Sequence, residues 1–307
     1  MIIRERKNWW RMLFIWQGSV LPKIMPRLII LAIFSIIIYL FHGSLFSYKV
    51  TLNPTAFTLI GVALAIFLGF CNTAAYDRYW EGRKLWGALV NDTRSFIRQV
   101  MTYVKDHPNE GIHTQDAVNL TIAYTYALNH QLRNTDAMPE MKRLLTDTYC
   151  NQLEQIRFKP VLLLKYLGDW VNAAEKKGKI DTITKMGIDQ NLDKLSEIVG
   201  GCERIANTPI PFPYHVLLHR TVYIYCFLLP FGLVDTIGWM TPIMVTFIGY
   251  TFMALDAIVD EIAEPFGTEP NDLALNSLCE TVEYSLREMA GLEVAELTKK
   301  EKKYALN

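Results

Sequence analysis

Residues 55–76 form a run without a single charged side chain, and the chain beyond it turns at once to Asp77-Arg78. That is the length of a helix crossing a bilayer, which takes roughly 20 apolar residues. Its small residues Gly61, Ala65, Gly69 and Thr73 recur every four positions. This small-xxx-small spacing lets membrane helices approach closely. One position further on, about 100° round the helix, runs a second stripe of bulky groups, Val62, Ile66 and Phe70. Two readings follow. The bulky stripe lines a hydrophobic constriction that gates by dewetting, or the segment is an ordinary core helix of a membrane bundle. The stripe by itself leaves the choice open.

Three other apolar stretches join it, at residues 28–46, 214–234 and 236–255. The first and last qualify as spans by length and lack of charge. The stretch at 214–234 carries His215, His219 and Arg220, so it is expected to begin at the interface or to face protein rather than lipid. Four spans are therefore expected. Hydrophobic residues make up 51% of the chain and charged ones 20%, enough of both for a membrane part and a substantial soluble part.

The stretch at 28–46 lies too far from the start, and lacks the small-residue cleavage site, to be a secretory signal. Residues 1–27 hold Arg4, Arg6, Lys7, Arg11, Lys23 and Arg27 against one acid, Glu5, whereas the loop after the first span offers only Lys49. The positive-inside rule then puts the N-terminus in the cytoplasm, and four spans return the C-terminus there. Trp9, Trp10 and Trp16 suit an N-terminal interfacial segment over 1–27. Five scattered cysteines without a CxxC pair argue against a disulfide framework. A formal net charge of zero argues against a nucleic-acid binder.

The organisation expected is two spans within 28–76, a cytoplasmic helical domain over 77–208, two spans within 209–256 and a cytoplasmic helical segment over 257–307. In the soluble part, helical periodicity predicts helices over 80–105, 114–133, 139–156, 161–177 and 182–206, the last with a break at Gly187 or Gly200-Gly201. A further helix is predicted over 272–297, followed by the charged tail Lys299 to Lys303. No stretch shows sustained strand alternation. The fold class is all-α.

Catalytic constellations do not emerge. His215 and His219 stand at i and i+4 without an HExxH motif, and no Walker loop, GxGxxG or GxSxG is present. Asp256, Asp260 and Glu264 recur every four residues, with Glu261 beside them. Like charges on one face repel unless they meet cations. They are expected to pair with basic residues of the cytoplasmic domain, with a metal site or a cation-attracting vestibule as alternatives. Pro265-Phe266-Gly267 is a sharp helix stop with Glu269 and Asp272 just beyond it.

Four segments together resemble the bestrophin family, most closely its bacterial members: NTAAYDRYWEGRKLWGALVNDTRS (72–95), NTPIPFPYHVLLHR (207–220), LLPFGLVD (228–235) and DEIAEPFG (260–267). The Pro-Phe-Gly motif and Gly69-Phe70 are the most diagnostic pieces, and the likeness covers nearly the whole chain. It implies a homopentameric ion channel around one central pore, with the second membrane helices lining a narrow neck. The family's three bulky neck positions fall on Val62, Ile66 and Phe70, the ladder already noted, which favours the pore reading. The family's second, cytoplasmic constriction is expected at Ile180.

The departures also bear on function. Calcium-activated animal members follow Pro-Phe-Gly with an unbroken acidic run. Here only Glu269 and Asp272 keep charge, a weak remnant of that clasp, so no cofactor is expected and calcium binding is doubtful. The resemblance leaves selectivity divided, since animal relatives look like chloride channels and bacterial ones like channels for monovalent cations. The acidic stripe and a neck with one aromatic ring instead of two lean toward cations such as Na+ and K+, because an aromatic edge welcomes anions. A chloride-selective channel of the same fold is the alternative, and a membrane scaffold or transporter without a continuous pore is the rival from another class. No inverted repeat supports a transporter. The partners expected are further copies of the chain, the lipid bilayer of a bacterial inner membrane and the permeant ions.

Overall fold

The computed structural model describes residues 10, 15–16, 18–45, 48–49, 52–104 and 113–294. Arg4, Arg6, Lys7, Trp9 and Arg11, which carry most of the interfacial reading of the N-terminus, lie outside the described residues, as does the charged tail at 299–303. Among the described residues, regular structure is helical apart from one pair of two-residue strands, and the chain divides into two compact units.

The first unit takes in residues 4–79 and 209–265. Helix α1 (Leu21–Leu40) starts well before the expected residue 28, with the Ser19 hydroxyl accepting from the Leu21 amide at 3.1 Å. Lys23 and Arg27 lie on the helix rather than before it, because each has a partner. Lys23 stands 3.6 Å from the Glu261 carboxylate, and Arg27 donates to the Tyr223 hydroxyl at 2.6 Å. The helix also stops early, at a turn where His42 and Gly43 take φ of 50° and 74°. Strands β1 (Ser44–Leu45) and β2 (Tyr48–Lys49) then pair antiparallel.

Helix α2 (Pro54–Tyr103) runs for 50 residues without interruption, and its residues up to Tyr79 belong to this unit. Helix α8 (Phe212–Ile237) and helix α9 (Thr241–Ile262) are joined by a single 3-10 turn, Gly238–Met240. Gly238 has φ 54° and ψ −122°, a conformation closed to side chains with a Cβ, and it ends α8 abruptly. Pro242 then sits in the first turn of α9, where a missing amide costs nothing. The two helices pack side by side as a hairpin, and α1 packs on both. Gly249 of α9 lets α1 come close, since a Cβ there would collide with Leu31. Among the described residues, three stretches are long and apolar enough to cross a membrane, within Leu21–Leu40, Thr55–Tyr103 and Phe212–Ile262, and the turn at Gly238 divides the last of them.

Threonine hydroxyls in these helices bond back to their own backbone: Thr73 to Gly69, Thr221 to Leu217, Thr246 to Pro242 and Thr251 to Phe247. A hydroxyl satisfied in this way does not need water.

The second unit is built from residues 80–103 of α2 with the helices labelled α3 (Thr114–Arg133), α4 (Met138–Leu144), α5 (Asp147–Leu153), α6 (Lys159–Lys176), α7 (Thr182–Asn207) and α10 (Leu275–Met289). Helix α3 is the centre, buried on nearly every side, and it packs on α6, α7 and α10. The helix expected over 139–156 is two short ones, parted where Leu145 and Thr146 are extended. Helix α7 passes through Gly187 and Gly200-Gly201 unbroken. Gly201 is needed there for a neighbour rather than a bend, because a Cβ would lie 2.9 Å from the Leu85 side chain. All five cysteines are free and buried.

Helix α10 is fastened to α3 and α4 by a charged clamp. Glu283 accepts both guanidinium nitrogens of Arg143 at 2.6 and 2.8 Å, the Tyr126 hydroxyl at 2.9 Å and Arg287 Nε at 2.9 Å. Burial alone would raise the Glu283 carboxyl, but these donors outweigh it and hold its pKa at about 2, below the ordinary 4.5. A depressed carboxyl contributes stability that is full above its unfolded pKa and disappears as pH falls through the folded one. Glu283→Gln is therefore expected to lower stability at pH 7 by roughly 1–3 kcal/mol. It is also expected to flatten the acid-induced loss between about pH 4.5 and pH 2 in thermal unfolding of the detergent-solubilised protein. Variant and wild-type profiles that run parallel through that window would show that the clamp contributes nothing there.

Candidate functional site

Helix α2 has two distinct faces in the first unit. Phe57, Leu64, Leu68, Cys71 and Ala75 are buried in the core formed with α1, α8 and α9. The opposite face leaves Val62 56%, Ile66 57% and Phe70 70% exposed. Within the chain, Gly61 of the small-residue stripe meets Tyr225 of α8, whereas Ala65, Gly69 and Thr73 are exposed. The exposed ladder is also one rung longer than the sequence reading had it. Leu59, 75% exposed, precedes Val62 by three residues. Its position three before the ladder was the available signal.

Ile180 lies in the turn between α6 and α7, where Gly178 has φ 69° and the Lys179 amide donates to Ala174 O at 2.9 Å. It is not a bare loop residue. Its own unit covers it to 7% exposure, while Ile183 and Met186 on the first turns of α7 stay open at 83% and 63%. Those two are i and i+3 on one helix face, a signal that the sequence reading passed over.

The acids of α9 do not behave as three equal carboxylates. Asp256 is buried, with Oδ2 3.1 Å from His219 Nδ1, and Asp260 Oδ1 is 3.0 Å from His215 Nδ1. Their partners are thus the histidines of α8, not basic residues of the helical domain as expected. Both pairs are spaced i, i+4, so two rungs form in register across the hairpin. The imidazoles stack 6.2 Å apart at 15°, and His219 continues onto Tyr223 at 4.4 Å, which in turn takes the hydrogen bond from Arg27. Glu264 lies beyond the end of α9 and is exposed. Glu261, which the stripe left out, is the buried carboxylate beside Lys23.

The Pro-Phe-Gly stop is anchored in the second unit by one side chain. Phe266 is buried, and its carbonyl accepts from Arg133 Nε at 3.3 Å. The same guanidinium reaches Leu273 O at 3.2 Å and Asn276 Oδ1 at 2.9 Å. Asp272 turns inward, buried, and its Oδ2 accepts from the Glu269 amide at 2.7 Å, while the Glu269 side chain faces out. The two acids are joined by a turn rather than aimed at a common point. Among the described residues no three His, Cys, Asp or Glu side chains converge on a position that could hold a metal.

Comparison with known proteins agrees with these motifs. Residues 1–288 match the family model described as Bacterial/Fungal Bestrophin protein. A protein of Ralstonia nicotianae named a voltage-dependent anion channel-forming protein is 45% identical over 294 residues, covering 95% of both chains. The Escherichia coli K12 protein YneE, which bears the same channel name, is 39% identical over 291 residues and 94% of each chain. Among solved structures, a bacterial bestrophin homolog from Klebsiella pneumoniae superposes with a TM-score of 0.84 at 37% identity, covering 88% of this chain and 100% of the other.

The unequal acids can be told apart by stability. Asp256→Ala strands His219 and is expected to cost about 1–3 kcal/mol in thermal unfolding in detergent. Glu264→Ala, an exposed change, is expected to stay within about 0.5 kcal/mol of wild type. Equal effects of the two would mean that the histidine pairing carries no weight.

Proposed function

The chain belongs to the bacterial and fungal bestrophin family, a family of channels and not of enzymes, and we propose that it assembles as a homopentamer whose α2 helices line a hydrophobic neck. The observation that carries the reading is the ladder Val62, Ile66 and Phe70, uncharged and more than half exposed on one face of a span-length helix. Exposed apolar groups on a membrane helix also suit contact with lipid. The pore assignment draws on these positions matching the family's neck. Rings of such groups cannot replace an ion's hydration shell, so the neck acts on wetting and passage. In this assembly the turn that carries Ile180 belongs to the second constriction, with Ile183 and Met186 as its exposed side chains. The chain is assigned to the inner membrane of a bacterium, and the N-terminal bias of Lys and Arg with four spans favours cytoplasmic termini.

For selectivity we adopt small anions, and this departs from the expectation drawn from the acidic stripe. Two of its three carboxylates, Asp256 and Asp260, are engaged by histidines, which weakens the argument for a cation-attracting surface. The channel-forming relatives carry anion-channel names. Glu269 and Asp272 offer too few oxygens for a calcium clasp, so gating is proposed to be independent of calcium.

The test is the reversal potential of purified protein in planar bilayers under a KCl gradient. A value near the chloride potential supports the anion reading. One near the potassium potential overturns it and restores the cation alternative. Silence from verified pentamers leaves a closed channel or a scaffold without a continuous pore. In the same bilayers Ile66→Ala and Phe70→Ala are each expected to raise single-channel conductance by widening the neck, and unchanged currents in both would remove these residues from it.

A further inference from the structure

Gly61 is the residue before the first proposed neck position, and Tyr225 of α8 lies against it. A Cβ at Gly61 would lie 2.8 Å from the Tyr225 hydroxyl oxygen and 3.4 Å from its Cζ. One turn earlier the roles are exchanged. A Cβ at Gly232 of α8 would lie 2.8 and 2.9 Å from Cδ2 and Cε2 of Phe57 on α2. Each helix thus offers a glycine notch to the other's aromatic ring. The two rings lie with centroids 6.0 Å apart, and Tyr225 is held from behind by Phe252, edge-on at 5.6 Å. Phe57 and Tyr225 are both buried, so neither is exposed as a pore-lining group would be.

Two such notches fix a helix more tightly than a smooth apolar contact does. One contact permits rolling about it, whereas two contacts of opposite sense define both rotation and height. Rotation matters here, because adjacent residues on a helix stand about 100° apart. The azimuth of Gly61 against Tyr225 therefore sets where Val62, Ile66 and Phe70 point. Pro230 lies on α8 between Tyr225 and Gly232, where its ring removes one backbone hydrogen bond and leaves the helix easier to bend. A change of bend there alters the spacing of the two notches and must be met by movement of α2.

We propose that Phe57 and Tyr225 are positioning residues of the channel, forming a reciprocal aromatic–glycine lock that sets the rotation of α2 and so the state of the neck. The inference rests on the reading of α2 as the neck helix.

Because a methyl at Gly61 collides with the Tyr225 hydroxyl but only touches the ring, the pair can be tested by rescue. Gly61→Ala is expected to change open probability about tenfold in single-channel recordings, the scale of an overpacked methyl group felt unequally by two states. Tyr225→Phe alone is expected to stay within about twofold of wild type, and the double variant to return to within about twofold. Oligomer size and thermal midpoint are measured on the same samples, so a gating change at matched stability separates positioning from simple loss of fold. Wild-type gating in assembled Gly61→Ala, or a double variant no better than the single, overturns the lock. If Gly61→Ala does not assemble, Tyr225→Ala takes its place, since it empties the notch without adding bulk. Altered gating is again expected, and wild-type gating overturns the proposal. Ile66→Ala is recorded alongside. If it alters conductance while the lock variants do not, only the lock fails; if Ile66→Ala and Phe70→Ala both leave conductance unchanged, the neck reading itself fails.

Discussion

The packing of Phe57, Leu64, Leu68, Cys71 and Ala75 against α1, α8 and α9 is the interaction on which the rest of the first unit depends. In hydrocarbon there is no hydrophobic force to draw helices together, since lipid tails are as apolar as leucine. Fit of shape, close backbone approach and a few polar contacts must do it instead. That is why the decisive contacts involve glycines: Gly61 under Tyr225, Gly232 under Phe57 and Gly249 under Leu31. Once these choose one face of α2, the remaining face is left with Leu59, Val62, Ile66 and Phe70, and the proposed neck rests on that choice.

The ladder was legible because a four-residue period survives any rotation of the helix. Which stripe packs was not legible. Small and bulky stripes share that period, and in a membrane helix polarity no longer marks the buried side. The set buried within the chain, Phe57, Leu64, Leu68, Cys71 and Ala75, was visible only as more apolar residues. The start of α1 was misjudged for a related reason. Lys23 and Arg27 read as an interfacial stop, yet long basic side chains can lie along a helix and reach a partner, here Glu261 and Tyr223. Gly200-Gly201 read as a break because its neighbour, Leu85, is more than a hundred residues away in sequence. The break between α4 and α5 did leave a trace, Thr146 before Asp147, residue types that favour a helix start.

The acids show the same division. Asp256, Asp260, His215 and His219 each stood out, and each pair has the spacing of one helix face. What sequence could not supply is that the two faces meet, because that depends on how a three-residue turn at Gly238 folds α9 back on α8. The unit built around α3 uses charge differently. There Arg143 with Glu283, and Arg133 with Phe266, Leu273 and Asn276, are forked guanidinium contacts that fasten chain segments well over a hundred residues apart. The Pro-Phe-Gly motif thus has a mechanical part to play: its phenylalanine is buried, and its carbonyl is one of three acceptors gathered by a single arginine.

The five cysteines carry a practical consequence. All are free and buried, and in the second unit burial pushes the thiols up, Cys202 to about 12, with Cys150 and Cys279 raised as well. The thiolate is the reactive form, so these groups meet alkylating reagents both shielded and protonated. The native chain is in effect a cysteine-quiet background. A single thiol introduced at any rung of the exposed α2 face would report its own solvent access by its rate of modification, without the other five having first to be removed.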